Sequence, residues 1–158
     1  MAILSMPSRI DEWARNAGFD ATGIAAVPAP GSPEDQAERG RFVDWVDAGR
    51  AGEMEYLKRR DEAGSLVRSS LRVALPWARS VIVCAANYNS AEPRSTDPAP
   101  DGTGWIARYA WTGSGGRPSD YHKVLLRKLG NLRDRLAEDM GSFESRCFID
   151  TGPVVERV

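Results

Sequence analysis

Residues 80–86 read Ser-Val-Ile-Val-Cys-Ala-Ala, a short β-branched run that predicts a strand apolar enough to be covered on both faces, hence a central one. Beyond it, residues 89–104 turn to Pro, Ser, Asp and Gly, an irregular loop long enough to suggest a functional role or local mobility. Trp105, Arg108, Tyr109 and Trp111 then interleave aromatic rings with a guanidinium, a pattern suited either to stacking on a flat ligand or nucleobase or to a core-facing strand or loop. After a glycine-rich turn over 112–119, Ser119 is placed to cap a helix carrying Tyr121, Leu125, Leu129, Leu132 and Leu136 on one face, with Gly141 as its stop. Residues 144–149 read as a final strand that delivers Asp150 at its end.

Towards the N-terminus, Ile10, Trp13, Ala14 and Ala17 recur at helical spacing over 5–17, and Gly18 stands where that helix should stop. Residues 19–27 are small, apolar and β-compatible. Ser32 followed by Pro33, Glu34 and Asp35 opens a second helix, which Phe42, Trp45 and Val46 continue to Gly49. Residues 52–57 suggest a short helical piece, and the basic stretch to Arg72 has little periodicity. Strands alternating with helices predict a layered α/β or α+β domain, taken as single over 1–158.

A chain of 158 residues, 42% hydrophobic and 27% charged, has the composition of a globular domain. At this size roughly 68–70% of the unfolded surface can be buried. Its apolar runs fall short of the ~20 residues of a membrane-spanning helix, and its first residues lack signal-peptide character, so a cytoplasmic location is expected. A net charge of -1 gives no global field towards DNA or an anionic membrane. The distribution is uneven. Residues 1–57 carry ten acidic and five basic side chains, whereas Lys58, Arg59, Arg60, Arg68, Arg72 and Arg79 face only Asp61 and Glu62 over 58–79. A second basic cluster, Lys123, Arg127, Lys128, Arg133 and Arg135 against Asp134, falls on the expected helix, and both clusters are open to reading as solvated faces.

The candidate chemistry is sparse. Cys84 and Cys147 lie in apolar runs without CxxC spacing, so neither a zinc site nor an iron–sulfur run is available, and both read as packing residues. His122 is the single histidine, two residues after Asp120 in the first turn of the best helix, where both can face a ligand or simply bond each other. Gly113, Ser114, Gly115 and Gly116 precede a helix start but match no nucleotide fingerprint. Asp150 follows the apolar Cys147-Phe148-Ile149 and precedes Thr151-Gly152-Pro153. Partial desolvation there would raise its pKa towards proton donation, while an Asx-type turn cap is the plainer alternative.

Five segments stand in order along the chain: Gly52-Glu53-Met54-Glu55-Tyr56-Leu57; Arg79-Ser80-Val81-Ile82-Val83 with Asn87-Tyr88; Ile106-Ala107-Arg108-Tyr109-Ala110; Asp120-Tyr121-His122; and Asp150-Thr151-Gly152-Pro153-Val154-Val155-Glu156-Arg157. Together they resemble the N-terminal domain of the epoxyqueuosine reductase family of queuosine tRNA modification. The resemblance implies an α+β fold, nitroreductase-like and reductive-dehalogenase-like, in which a central sheet flanked by helices holds base-off cobalamin. It implies reduction of the epoxide of epoxyqueuosine in tRNA, with electrons from two [4Fe–4S] clusters and no membrane or DNA partner. In that scheme Asp150 is the acid that protonates the epoxide oxygen, and Asp120, Tyr121 and His122 line the same pocket. Arg108, Tyr109, Asn87 and Tyr88 contact the cofactor, and Glu156 and Arg157 are substrate candidates. A positioned acid typically contributes 10²–10⁴-fold in rate.

Nine residues, Trp111 to Ser119, stand between the Arg-Tyr-Ala and Asp-Tyr-His segments, where the family has little. The chain ends at Val158, where the family continues into an eight-cysteine ferredoxin module and a tRNA-binding helical repeat. A fragment or split subunit, inactive alone, is therefore expected. Two rival functions remain: a non-catalytic RNA- or partner-binding module of the same fold, and a flavin-binding oxidoreductase.

Overall fold

The structure, a computed structural model, describes residues 5–114, 117–150 and 152. In chain order the elements are α1 (Met6–Asn16), β1 (Ala21–Ala26), α2 (Pro33–Asp47), α3 (Glu55–Lys58), α4 (Leu71–Ala74), β2 (Ser80–Ala85), β3 (Gly113–Ser114), β4 (Arg117–Pro118) and α5 (Tyr121–Met140), with a 3-10 turn at Arg108–Ala110. This is an α+β chain. It divides into two compact units, Met1–Gly23 with Val83–Ile149, and Ile24–Ile82 with Asp150–Val158.

The first unit is organised by α1 and α5. Ile10, Trp13 and Ala14 of α1, Phe19, and Leu132 and Leu136 of α5 are buried, as the helical spacing of the apolar residues dictates. Burial of each large aliphatic side chain stabilises by about 1.5–3 kcal/mol. Arg9 and Arg135 lie over the Trp13 ring, at 4.9 and 5.2 Å, and Arg9 pairs with Asp139. Gly18 stops α1 with φ +91°, and a Cβ there would come within 3.1 Å of Lys128 Cε. Lys128 Nζ in turn donates to the Gly18 carbonyl at 2.6 Å, so glycine answers both the left-handed backbone and the close approach.

In the second unit, Ser32 Oγ accepts the Asp35 N–H at 3.3 Å and Pro33 occupies the first turn of α2, the expected helix start. Phe42, Ala51, Leu57 and Leu66 form the core, against which Val43, Trp45 and Val46 pack. Asp35 is turned inward and only 1% exposed, accepting from the Gly31 N–H at 3.0 Å, Ser70 Oγ at 3.2 Å and Arg39 Nε at 3.2 Å. Burial is the largest single influence on its pKa and pushes it up, but these three donors together hold it below the usual aspartate range.

β1 and β2 pair, with the Asp20 N–H donating to the Ala85 carbonyl at one end and the Val27 N–H to the Arg79 carbonyl at the other, so the strands run antiparallel. Several expectations need correction. β2 has β1 as its neighbour in a two-stranded sheet and is only half covered, with Val83 60% exposed, because a strand's apolar content does not supply a second sheet face to pack on. Residues 144–149 form no strand among the described residues, since an extended run becomes one only with a ladder partner. Residues 105–111 contain a 3-10 turn, not a strand, and the helical piece near 52–57 is confined to α3. Asp120, not Ser119, is the N-cap of α5. β3 and β4 pair antiparallel through Gly113–Pro118 and Ser114–Arg117, and Gly115 and Gly116 of the expected turn lie outside the described residues.

Candidate functional site

Asp120 is extended, and its side chain accepts the His122 N–H at 2.9 Å, which closes the first turn of α5. The same Oδ1 lies 2.9 Å from His122 Nδ1, so the capping carboxylate also fixes the imidazole ring. These His122 bonds, the side-chain one foremost, hold the Asp120 carboxyl below the usual carboxylate range. Asp120 is therefore an anion at neutral pH and suits orientation of the ring, not proton donation. Tyr121 lies 4.0 Å from the His122 ring and meets Tyr109 edge-on at 5.3 Å.

Arg108 draws a third stretch of chain to this place. Its guanidinium donates to Asn89 Oδ1 at 3.1 Å and to the carbonyls of Ser90, Glu92 and Pro93 at 2.7, 2.5 and 3.0 Å. Trp111 lies 5.7 Å from the same group. The loop after β2 is thus an ordered structure: Asp97 accepts the Arg94 N–H on its carboxylate and Trp105 Nε1 on its carbonyl, both at 2.7 Å. Asp20 accepts the Asn87 N–H at 2.7 Å, and Asn87 Oδ1 accepts the Asn89 N–H at 2.8 Å. Asn87, Tyr88, Arg108, Tyr109, Asp120, Tyr121 and His122, taken from three separate chain segments, consequently belong to one part of the first unit. Tyr88, Ile106 and Tyr109 leave large apolar surface exposed beside these polar groups.

Sequence reasoning missed Asp20 and Asn89. Asp20 acts on a backbone N–H and Asn89 on a guanidinium 19 residues away, and neither bond carries a motif. Arg108, a ligand-contact candidate from the sequence, directs these bonds to the loop and so shapes it.

Asp150 belongs to the second unit, in a turn, and is exposed. Arg68 Nη1 donates to the carbonyl of buried Gly152 at 2.8 Å, two residues beyond Asp150. Glu156 and Arg157 lie outside the described residues.

The basic stretch over 58–79 is largely committed internally. Lys58 pairs with Glu55 at 2.6 Å, Arg60 donates to the Gly64 carbonyl, and Arg72 donates to the carbonyls of Val27, Pro28, Pro76 and Ala78. On α5, Arg133 pairs with Asp134 and Arg135 with Glu138. Cys84 and Cys147 are free and half-buried, and burial, reinforced by Cys147, pushes the Cys84 thiol up. Among the described residues no three His, Cys, Asp or Glu side chains are grouped to hold a metal, and no helix is long and apolar enough to cross a membrane.

Residues 68–151, more than half the chain, match the family model described as epoxyqueuosine reductase QueG, DUF1730. The chain belongs to this family. Among its curated relatives, an epoxyqueuosine reductase of Synechocystis is 37% identical, covering 85% of this chain and 40% of the relative. Those of Alicycliphilus denitrificans and Gloeobacter violaceus are each 36% identical, covering 94% and 95% of the chain and 39% and 41% of the relatives. The chain thus spans about 40% of the length of the epoxyqueuosine reductases it matches. No solved structure matches it.

Proposed function

We propose that this chain is the cobalamin-binding domain of a cytoplasmic epoxyqueuosine reductase, with the nitroreductase-like and reductive-dehalogenase-like architecture, acting on tRNA that contains epoxyqueuosine. The observation that carries the proposal is the gathering of Asn87-Tyr88, Arg108-Tyr109 and Asp120-Tyr121-His122 into one part of the first unit of a family member. Exposed aromatic surface beside an oriented imidazole fits a broad planar cofactor, so Tyr88, Tyr109, Tyr121 and His122 are the residues that would hold the corrin. Bound cobalamin, in the base-off form, supplies the reducing electrons.

The overall change is the epoxide plus two electrons and two protons giving the alkene and water. Both C–O bonds break, and the oxygen departs as water. Asp150 protonates the epoxide oxygen as negative charge develops on it. Asp120 remains ionised and keeps the His122 ring in place beside the ligand. A [4Fe–4S] cluster takes four cysteine ligands, and the chain has two cysteines, so the clusters that deliver electrons are held elsewhere in the enzyme.

Addition of hydroxocobalamin to the full-length protein, followed by its absorption spectrum, tests the proposal. A shift to the base-off spectrum that weakens in a Tyr109→Ala, Tyr121→Ala variant is expected. No shift, or a protein purified with flavin in its place, overturns the cobalamin assignment.

A further inference from the structure

We propose that Arg68 is a positioning residue that anchors the turn carrying Asp150, with Tyr56 bracing its guanidinium; this rests on Asp150 being the proton donor. Arg68 Nη1 donates to the Gly152 carbonyl at 2.8 Å across 84 residues of sequence, and that bond is partly shielded from solvent. Gly152 is buried whereas Asp150 is exposed, so the carbonyl that Arg68 holds is covered and lies two residues from the carboxylate it positions. The Tyr56 ring lies 5.1 Å from Arg68 Cζ, a cation–π contact that limits where the guanidinium can swing.

The base under Arg68 is itself rigid. The Arg59 carbonyl accepts the Val67 N–H at 2.9 Å, Arg60 and Leu66 form a bridge, and the Asp61 carboxylate accepts the Ser65 N–H at 2.8 Å, which closes a tight hairpin just before it. Leu66 is 1% exposed in the core, and on the other side Ser70 Oγ donates to the buried Asp35. Arg68 therefore leaves a backbone held on both flanks. Arg72, four residues on, directs its guanidinium to carbonyls between 27 and 78, whereas Arg68 reaches the Asp150 turn. The arrangement also explains the Gly52-Glu53-Met54-Glu55-Tyr56-Leu57 segment: Leu57 enters the core and Tyr56, its neighbour on α3, faces Arg68.

A reacting group displaced by about 1 Å can lose on the order of 10²-fold in rate. In the full-length enzyme with epoxyqueuosine-containing tRNA, Arg68→Met is expected to lower kcat by about that factor while leaving KM for tRNA unchanged. Arg68→Lys, which can still donate to the carbonyl, is expected to recover most of the loss. The ¹³C carbonyl resonance of Gly152 moves in Arg68→Met and moves less in Arg68→Lys. If Arg68→Met does not fold, Arg68→Lys against wild type reads the same two quantities. Asp150→Asn is run in parallel: full turnover in that variant overturns the donor reading, and the Gly152 resonance then decides the anchor by itself. Loss of turnover in Asp150→Asn with unchanged kcat in Arg68→Met, or an unmoved Gly152 resonance, overturns the role of Arg68.

Discussion

Asp120 bonds twice to His122, accepting the backbone N–H and facing Nδ1, each at 2.9 Å through the same carboxylate oxygen. One side chain thus starts α5 and orients the ring that the proposed cofactor site needs. Asp120→Asn retains a capping oxygen and is expected to melt near wild type, whereas Asp120→Ala loses the cap and melts lower. Thermal unfolding followed by far-ultraviolet circular dichroism distinguishes them, and equal loss in both variants would contradict the capping role.

The same pair has a pH signature. Because the folded-state pKa of Asp120 is lowered, its stabilisation is complete above the ordinary aspartate pKa and is lost as pH falls through the lowered one. The His122 amide resonance is therefore expected to titrate with a midpoint below the usual aspartate range. A midpoint at or above that range is the opposite result.

Asp35 presents the buried counterpart. Asp35→Ala leaves the Gly31 N–H and Ser70 Oγ without their acceptor, at a cost of about 1–3 kcal/mol. Its lowered pKa places the contribution of the charge above the ordinary aspartate value, to be lost in acid. Urea unfolding of wild type and Asp35→Asn at several pH values should accordingly converge as pH falls. A constant gap down to the lowest pH would show that the charge is not what matters.

Arg108 governs the loop after β2 through four bonds, so Arg108→Ala is expected to speed amide hydrogen exchange over residues 89–97 and leave α1 and α5 unchanged. Arg108→Lys recovers little, since an ammonium lacks the planar fork that reaches several acceptors together. Unchanged exchange in that window would exclude the assignment.

Much of this was legible from residue order. Helical spacing gave α1 and α5, Ser32-Pro33 gave the start of α2, and the β-branched run gave β2. The exposure of Val83 and the missing strand at 144–149 were not, because both depend on what lies opposite a strand and not on its own residues. Of the candidate site, short segments were legible, and the structure shows contacts among them: Asp120 meets His122, and Tyr109 reaches Tyr121. The bonds of Asp20 and Arg68, and three of the four of Arg108, end on backbone atoms, which have no residue-type preference and leave no trace in a sequence.

The most direct test of the functional account is turnover of epoxyqueuosine in tRNA by full-length enzyme carrying Asp150→Asn, with cobalamin binding followed in the same preparation. Loss of at least about 10²-fold in queuosine formation with the base-off spectrum intact is the expected result. Queuosine formation at the wild-type rate would contradict the account.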